Sequence, residues 1–197
     1  MVRRFSATHQ IKLMAIIFEL FIECEIAASA DAVAAHFSGL KHTLLSGKTI
    51  DWSVSREEGL PAYGLSISSM ALSAHGVNTL QDAIEITEAG LYLLHHLKSA
   101  PPFRYARADL EASLIWSADL ADYFKIDAQG HQTTSLECVL EEKLYEQLGR
   151  PASFVPFRPG YWWRQFSGAT YRPLWAGDQQ PLRDICRRLF PGEYFKY

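Results

Sequence analysis

The fold class rests first on one alternating stretch, residues 18–26, with the sequence FELFIECEI. Its even-numbered positions, from Phe18 to Ile26, are all apolar. Three of its odd-numbered positions are glutamates: Glu19, Glu23 and Glu25. Because successive side chains of a strand point to opposite faces, this period of two predicts a β-strand with one buried face. Charged side chains usually form the solvated face of such a strand. We therefore expect the glutamates to face outward, where a basic partner would meet them.

The residues that follow predict a short helix and then a β-hairpin. Ser29 and Asp31 suit the start of a helix, and Gly39 suits its end. Further along the chain, residues 50–54 and 63–67 alternate between apolar and polar side chains, and the segment between these two runs is turn-like. Two alternating runs joined by a turn predict a β-hairpin.

Two capping-box patterns predict the longer helices. Thr79 and Asp82 precede apolar positions that recur at helical spacing as far as about Leu97. Thr134 and Glu137 form a similar pattern. Behind it come leucines at every fourth position: Leu136, Leu140, Leu144 and Leu148. We expect a long central helix from the first pattern and a second, well-specified helix from the other.

The order of these elements predicts an α+β fold. Strand, helix, two strands, helix and strand follow one another, which favours an antiparallel or mixed sheet with helices packed on one face over a doubly wound parallel fold. The C-terminal aromatic-rich segment is expected to be a loop folded over this sheet. No internal repeat or long linker divides the chain, so residues 14–197 are expected to form a single domain, with residues 1–13 as a loose N-terminal extension.

Composition sets limits on the function. The chain has 197 residues, of which 48% are hydrophobic and 21% charged, as in ordinary globular proteins. Its formal net charge of −3 gives no global electrostatic reason to bind nucleic acid or an anionic membrane, because binding to phosphate needs positive charge. The sequence thus predicts no membrane partner and argues against nucleic acid as a partner.

The N-terminus and the cysteines predict a cytoplasmic protein. Arg3 and Arg4 precede an apolar run, as in a signal peptide, but three glutamates interrupt that run and oppose membrane insertion. Cys24, Cys138 and Cys186 are odd in number and form no C-x-x-C pair, which fits a reducing compartment. Cys24 and Cys138 lie among apolar neighbours, so both are expected to be buried, unreactive side chains.

No motif predicts catalysis, a cofactor or a metal. The phosphate-binding glycine loops, the H-E-x-x-H zinc motif, EF-hand loops and the G-x-S-x-G nucleophile turn are all missing from the sequence. His95 and His96 could share a metal with Asp127 and His131, but adjacent helix residues point about 100° apart and seldom reach one ion. Catalysis of its own, a cofactor and a metal site are therefore not expected.

The segment from Phe154 to Trp175 departs from ordinary composition. Eight aromatic residues there are interleaved with arginines, and residues 147–177 carry a charge of +4 without a single acidic residue. Aromatic and arginine side chains together suit protein interfaces, ligand recognition and stacking on unpaired bases. The expected binding residues are Arg158, Tyr161, Trp162, Trp163, Arg164 and Arg172. A lid that buries its rings over the sheet explains the same composition.

These features favour a protein-binding module that acts by occupying a partner protein, as an inhibitor, a toxin-neutralising immunity protein or an adaptor does. Missing catalytic motifs and the arginine-rich aromatic segment support this hypothesis. The alternative is an enzyme or small-ligand binder whose Arg/aromatic pocket holds an anionic ligand. Single-stranded nucleic-acid binding comes third, because four arginines against an acidic remainder attract phosphate only modestly. A homo-oligomer is compatible with all three.

Overall fold

The computed structural model describes residues 17–58, 63–73, 76–124, 136–166, 168–169 and 184. The predicted N-terminal extension, residues 1–13, lies outside this part of the chain. The strands are β1 (Phe18–Cys24), β2 (Lys41–Thr43), β3 (Thr49–Asp51), β4 (Ser53–Glu58), β5 (Tyr63–Ser68), β6 (Tyr105–Leu110), β7 (Cys138–Glu141), β8 (Val155–Arg158) and β9 (Tyr161–Arg164). The helices are α1 (Ala27–Phe37), α2 (Met70–Ser73), α3 (Leu80–Leu97), α4 (Leu120–Tyr123) and α5 (Glu142–Gln147), with 3₁₀ turns at Ala112–Leu114 and Ser117–Asp119.

Seven of these strands form one antiparallel sheet in the order β4-β5-β1-β6-β7-β9-β8, and β2 and β3 form a separate pair. Strand β1, predicted from the alternating stretch, lies inside the large sheet and pairs with β5 on one side and β6 on the other. The predicted hairpin is present as β4 and β5. The α+β class and the antiparallel sheet are thus confirmed.

The two longest helices pack on one face of the sheet, as expected. The apolar side chains that β1 presents to this face belong to the same buried cluster as residues of α1 and α3, among them Val33 and Leu93. Helix α3 starts with the predicted capping box, in which the Thr79 hydroxyl accepts a hydrogen bond from the Asp82 N–H. Gly90 allows this helix to approach its neighbours, because a Cβ there would lie 2.8 Å from the Phe166 ring.

The opposite face of the sheet is also covered, and this corrects the expectation for the glutamates. Phe21 and Tyr105 belong to a second buried cluster with residues of the 3₁₀ turns, α4 and α5. Glu19 and Glu23, predicted on a solvated face, are only 4% and 2% exposed. Each accepts hydrogen bonds from the backbone of the covering turns. Only Glu25, just beyond the strand, is exposed.

The second predicted helix is wrong in its first half. Cys138–Glu141 is strand β7, which pairs with β6 and β9, and the helix α5 is limited to Glu142–Gln147. Leucines at every fourth position fit both periods here, because Leu136, Cys138 and Leu140 also alternate. The partner strands on both sides decide in favour of the strand. Thr134, the predicted cap, lies outside the described residues.

The aromatic-rich segment differs from the predicted loop over its first part. Strands β8 and β9 form a hairpin that extends the sheet beyond β7. Gly160 turns the hairpin with a φ of +78°, a conformation that favours glycine. After β9 the chain does fold back over α3, where Phe166 joins the apolar cluster and the Ala169 N–H donates to the Thr87 hydroxyl at 2.9 Å.

Candidate functional site

Five of the six predicted binding residues lie on the β8–β9 hairpin, and the sixth, Arg172, lies outside the described residues. The pleat of β9 divides four of them between two faces. Tyr161 and Trp163 pack against the apolar cluster on the α3 side, whereas Trp162 packs against the cluster on the other side. Arg164 pairs in register with Cys138 of that second cluster. The hairpin therefore does not bring all the predicted residues to one surface.

Arg158 is held by the end of helix α3. Its Nη1 atom donates to the carbonyl oxygens of Lys98, at 3.1 Å, and of Ala100, and Nη2 donates to the carbonyl of Pro101 at 3.4 Å. Its guanidinium also lies 4.2 Å from the ring centroid of Tyr161. Carbonyls just beyond a helix C-terminus lack intrahelical partners and attract cations. The main role of this guanidinium is thus to tie the hairpin to α3.

Tyr161 fixes the hairpin to the chain just before β6. Its hydroxyl accepts a hydrogen bond from the Phe103 N–H at 3.0 Å and donates one to the Phe103 carbonyl at 2.9 Å. The two rings lie 4.5 Å apart between centroids. Because the hydroxyl satisfies both backbone groups of one residue, Tyr161 holds a fixed position in which part of its ring remains exposed.

The two adjacent tryptophans have different environments. Trp163 is only 4% exposed and packs edge-on against Phe157, with 5.5 Å between the ring centroids. Trp162 is half-buried and stacks on Tyr145 at 4.6 Å with an angle of 18° between the ring planes. Trp163 is therefore part of the core, whereas Trp162 presents a partly exposed ring whose orientation is set from behind by Tyr145.

An open pocket of about 340 Å³ lies at the turn of the hairpin, and we call it the hairpin pocket. Residues 156–162 and Glu142 line it. It brings together three of the predicted binding residues, Arg158, Tyr161 and Trp162. The sequence did not predict Glu142 as a binding residue. It reaches the pocket because α5 starts beside the hairpin, with the Glu142 N–H donating to the Gly160 carbonyl at 2.9 Å, and no local motif indicates such a contact.

Charges of both signs lie around the hairpin pocket: Arg158 and Glu142 line it, and Lys98 Nζ lies 5.9 Å from the ring of Phe157. Glu142 is exposed and forms no ion pair with any other described residue. Next to it, burial and the nearby Glu25 carboxylate raise the pKa of Glu141. Lys143 forms an ion pair with Glu25, but its Nζ atom lies 3.8 Å from the carboxylate oxygen and both side chains are largely exposed. The Arg158 guanidinium keeps its charge but directs three hydrogen bonds to backbone carbonyls, so Glu142 is the charged group of the pocket lining whose hydrogen-bonding atoms are not engaged by a described charged residue.

Histidines and cysteines do not form a metal centre in the described part of the chain, where no group of three or more His, Cys, Asp or Glu side chains is placed to hold an ion. Asp127 and His131, the predicted companions of His95 and His96, lie outside it. Both described cysteines are buried and unpaired. Burial raises the pKa of Cys24 to about 12 and that of Cys138 further, so both thiols stay protonated and unreactive near neutral pH.

Comparison with protein-family models, with curated protein sequences and with solved structures finds no match for this chain. Among the helices that the structure describes, none combines the length and the apolar character needed to cross a membrane.

Proposed function

We propose that this chain is a protein-binding module that acts by occupying a partner protein in the cytoplasm, as an inhibitor, a toxin-neutralising immunity protein or an adaptor does, with no catalysis of its own. The observation that carries the proposal is the hairpin pocket. It is open to solvent, and its Trp162 ring is held in place by the stack on Tyr145. Tryptophan and tyrosine side chains in fixed positions are typical anchors of protein interfaces, because little side-chain entropy is lost when a partner covers them.

The charge around the hairpin pocket indicates what the partner presents. Glu142 lines the pocket without an ion pair in the described part of the chain, and Glu25 and Glu141 lie close by. A lysine or arginine side chain from the partner would pair with the Glu142 carboxylate and lie against the exposed part of the Trp162 ring, whereas the Tyr161 ring is already covered by Arg158 and Phe103. Cation–π contacts and ion pairs act together in this arrangement. The proposed occupant is therefore a basic side chain at the centre of the partner's contact surface.

The alternative function, a small-ligand binder with Arg158 as the anion ligand, is less well supported at this pocket. The guanidinium of Arg158 already donates to three backbone carbonyls. An anion would have to displace those contacts, and the Glu142 carboxylate on the same pocket would repel it.

Affinity capture from cells that produce the chain tests the proposal, with three variants compared under the same moderate salt. Glu142→Lys reverses the charge in the pocket, and Trp162→Ala removes the exposed ring. Asp51→Lys is the matched control, because it makes the same change in charge at an exposed position on β3, where it breaks only a largely exposed ion pair with Lys41. We expect one stoichiometric protein to be retained by the wild type and by Asp51→Lys and to be lost from both pocket variants. Identical captured proteins for all four chains would overturn the proposal.

A further inference from the structure

A row of buried polar side chains crosses the sheet on the face opposite α1 and α3. Cys138 of β7 pairs in register with Arg164 of β9. On the other side of β7, Ala106 of β6 pairs in register with Val139. Because the two strands are antiparallel, Arg107, the next residue of β6, lies beside Cys138. Two neighbouring strand spacings put the backbones of the two arginines about 10 Å apart. We call Arg107, Cys138 and Arg164 the arginine row.

The arginine row contains buried hydrogen-bond donors that have no acceptor among the described residues. They are Arg107 Nε, Arg164 Nη1 and, two residues before Arg107 on the same face of β6, the hydroxyl of Tyr105. Tyr105 is fully buried and Arg107 is 8% exposed. Arg164 is only half-buried, so the row is enclosed at its β6 end and partly open at its β9 end.

The two guanidiniums of the row differ in their ion pairs, although the Glu23 and Glu137 carboxylates also act on Tyr105 and Cys138. Arg107 pairs through Nη2 with Asp109, whereas Arg164 has no ion pair in the part of the chain that the structure describes. Both guanidiniums act on the thiol of Cys138, where they lower a pKa that burial raises. The Glu137 carboxylate also acts on this thiol, but its influence is the weakest of the four. Both arginines thus lie close to the same buried sulfur.

Unpaired donors of this kind need an explanation. A buried N–H or O–H without an acceptor is destabilising, and native proteins leave few of them. Three such donors lie on one face of the sheet, two on β6 and one on β9 with β7 between them. Two of them belong to arginines, which suits an oxyanion because it accepts several charge-assisted hydrogen bonds at once. A neutral ligand would satisfy the donors but would leave the Arg164 guanidinium without an ion pair in the described part of the chain.

We propose that the arginine row binds the oxyanion group, carboxylate or phosphate, of a small ligand. Arg164 holds one side of the group with the fork of its guanidinium. Arg107 Nε and the Tyr105 hydroxyl donate from the enclosed end. This site does not depend on the protein-binding function, because Arg164 does not line the hairpin pocket, although it lies two residues from Trp162 on the same face of β9.

Thermal unfolding of the full chain in sodium acetate and in sodium phosphate tests this proposal, with sodium chloride at equal ionic strength as the reference for screening. A ligand that binds only the folded state raises the melting temperature with its concentration. Phosphate and acetate also stabilise folded proteins without a binding site, in proportion to their concentration. We therefore expect a saturable rise above the chloride reference for one of the two ions, and this ion identifies the preferred group. Arg164→Gln should weaken the apparent affinity by about tenfold or more. Arg150→Gln, at an exposed arginine, should leave it unchanged.

A second measurement does not depend on the stability of a variant. The arginine Nε–H signals of the wild-type protein are followed by NMR during the acetate and phosphate titrations. We expect the signal of a slowly exchanging, buried Nε–H to shift saturably with one of the two ions and not with chloride. Equal effects of all three salts on melting and on these signals, or an unchanged ion effect in Arg164→Gln, would overturn the proposal.

Discussion

The carboxylate of Glu23 accepts two hydrogen bonds from Ser117, one from the Ser117 backbone N–H at 2.8 Å and one from the Ser117 hydroxyl at 2.5 Å. The two residues are 94 positions apart in the sequence. Glu19 binds the backbone N–H of Ser113 in the same way at 2.7 Å. Two glutamates of the central strand thus hold the turns that cover the second face of the sheet. They act together with the apolar cluster of Phe21 and Tyr105, which joins the sheet to the same covering layer.

Glu23→Ala should lower the free energy of unfolding by about 3 kcal/mol. The substitution removes two hydrogen bonds to a charged group and leaves a buried N–H unpaired, and each effect is typically worth about 1–3 kcal/mol. Urea unfolding measures the change. Glu25→Ala removes an exposed glutamate two positions further on and should stay within about 0.5 kcal/mol of the wild type. Equal stabilities of the two variants would contradict the structural role of Glu23.

The two tryptophans of β9 should differ in their contributions to stability. Trp163→Ala empties a site in the core and should cost about 3–5 kcal/mol. Trp162→Ala loses a stacked but half-buried ring and should cost about 1–2 kcal/mol. Denaturant unfolding of both single variants checks the order. A larger loss for Trp162→Ala than for Trp163→Ala would show that the assignment of the two faces of β9 is wrong.

Arg158→Lys should destabilise the fold although it keeps the charge. A lysine cannot reproduce the planar fork that reaches three carbonyls, and we expect a loss of about 1–2 kcal/mol. The matched variant is Arg56→Lys, because Arg56 pairs with Asp31 between largely exposed side chains. Exposed pairs contribute about 0–1 kcal/mol, so this variant should unfold close to the wild type. Similar losses in the free energy of unfolding in the two variants would show that Arg158 does not tie the hairpin to the end of α3.

His96 lies in a group of histidines between α1, β2 and α3. Its backbone carbonyl lies 3.1 Å from His36 Nε2, and its ring lies 4.6 Å from that of Tyr92. Burial lowers the pKa of His96 below its usual 6.5, and His95, His36 and His42 lower it further. His42 also belongs to this group, and its Nε2 atom lies 3.2 Å from a carboxylate oxygen of Glu88 on α3.

The lowered pKa of His96 predicts the direction of a pH effect on stability. Well above pH 6.5 the ring is neutral in both states. As the pH falls through 6.5, the unfolded state takes up the proton first, so folding stability decreases until the folded state is protonated as well. Urea unfolding at pH 7.5 and pH 5.5 measures the loss, which His96→Asn should reduce. His95→Asn should keep most of the loss, because burial is the main cause. An unchanged loss in His96→Asn would contradict this.

Local signals in the sequence predicted those elements whose stabilising contacts are themselves local. The period of two in residues 18–26 located β1, and the capping box at Thr79 located α3. Strand β7 was missed because its leucines fit two periods, and the pairing partners that decide between them lie 30 or more residues away along β6. The burial of Glu19 and Glu23 was missed for the same reason, since their hydrogen-bond donors come from turns 94 residues later.

The candidate site was predictable only in part. The concentration of aromatic and arginine residues indicated the hairpin, and three of the six predicted residues line its pocket. The pleat of β9 separates Tyr161 and Trp163 from Trp162 and Arg164, which composition alone does not show. Glu142 carries no sequence signal as a pocket residue, because only the docking of α5 beside the hairpin turn places it there.

The affinity of the captured partner for the wild type and for Glu142→Lys tests whether the hairpin pocket binds the partner. Isothermal titration calorimetry with the purified partner measures both, with Asp51→Lys as the control for net charge. We expect Glu142→Lys to weaken binding by about tenfold or more, because a like charge then faces the partner's basic side chain. Asp51→Lys should bind the partner as tightly as the wild type does. Equal affinities of all three chains would contradict the hairpin pocket as the partner-binding site.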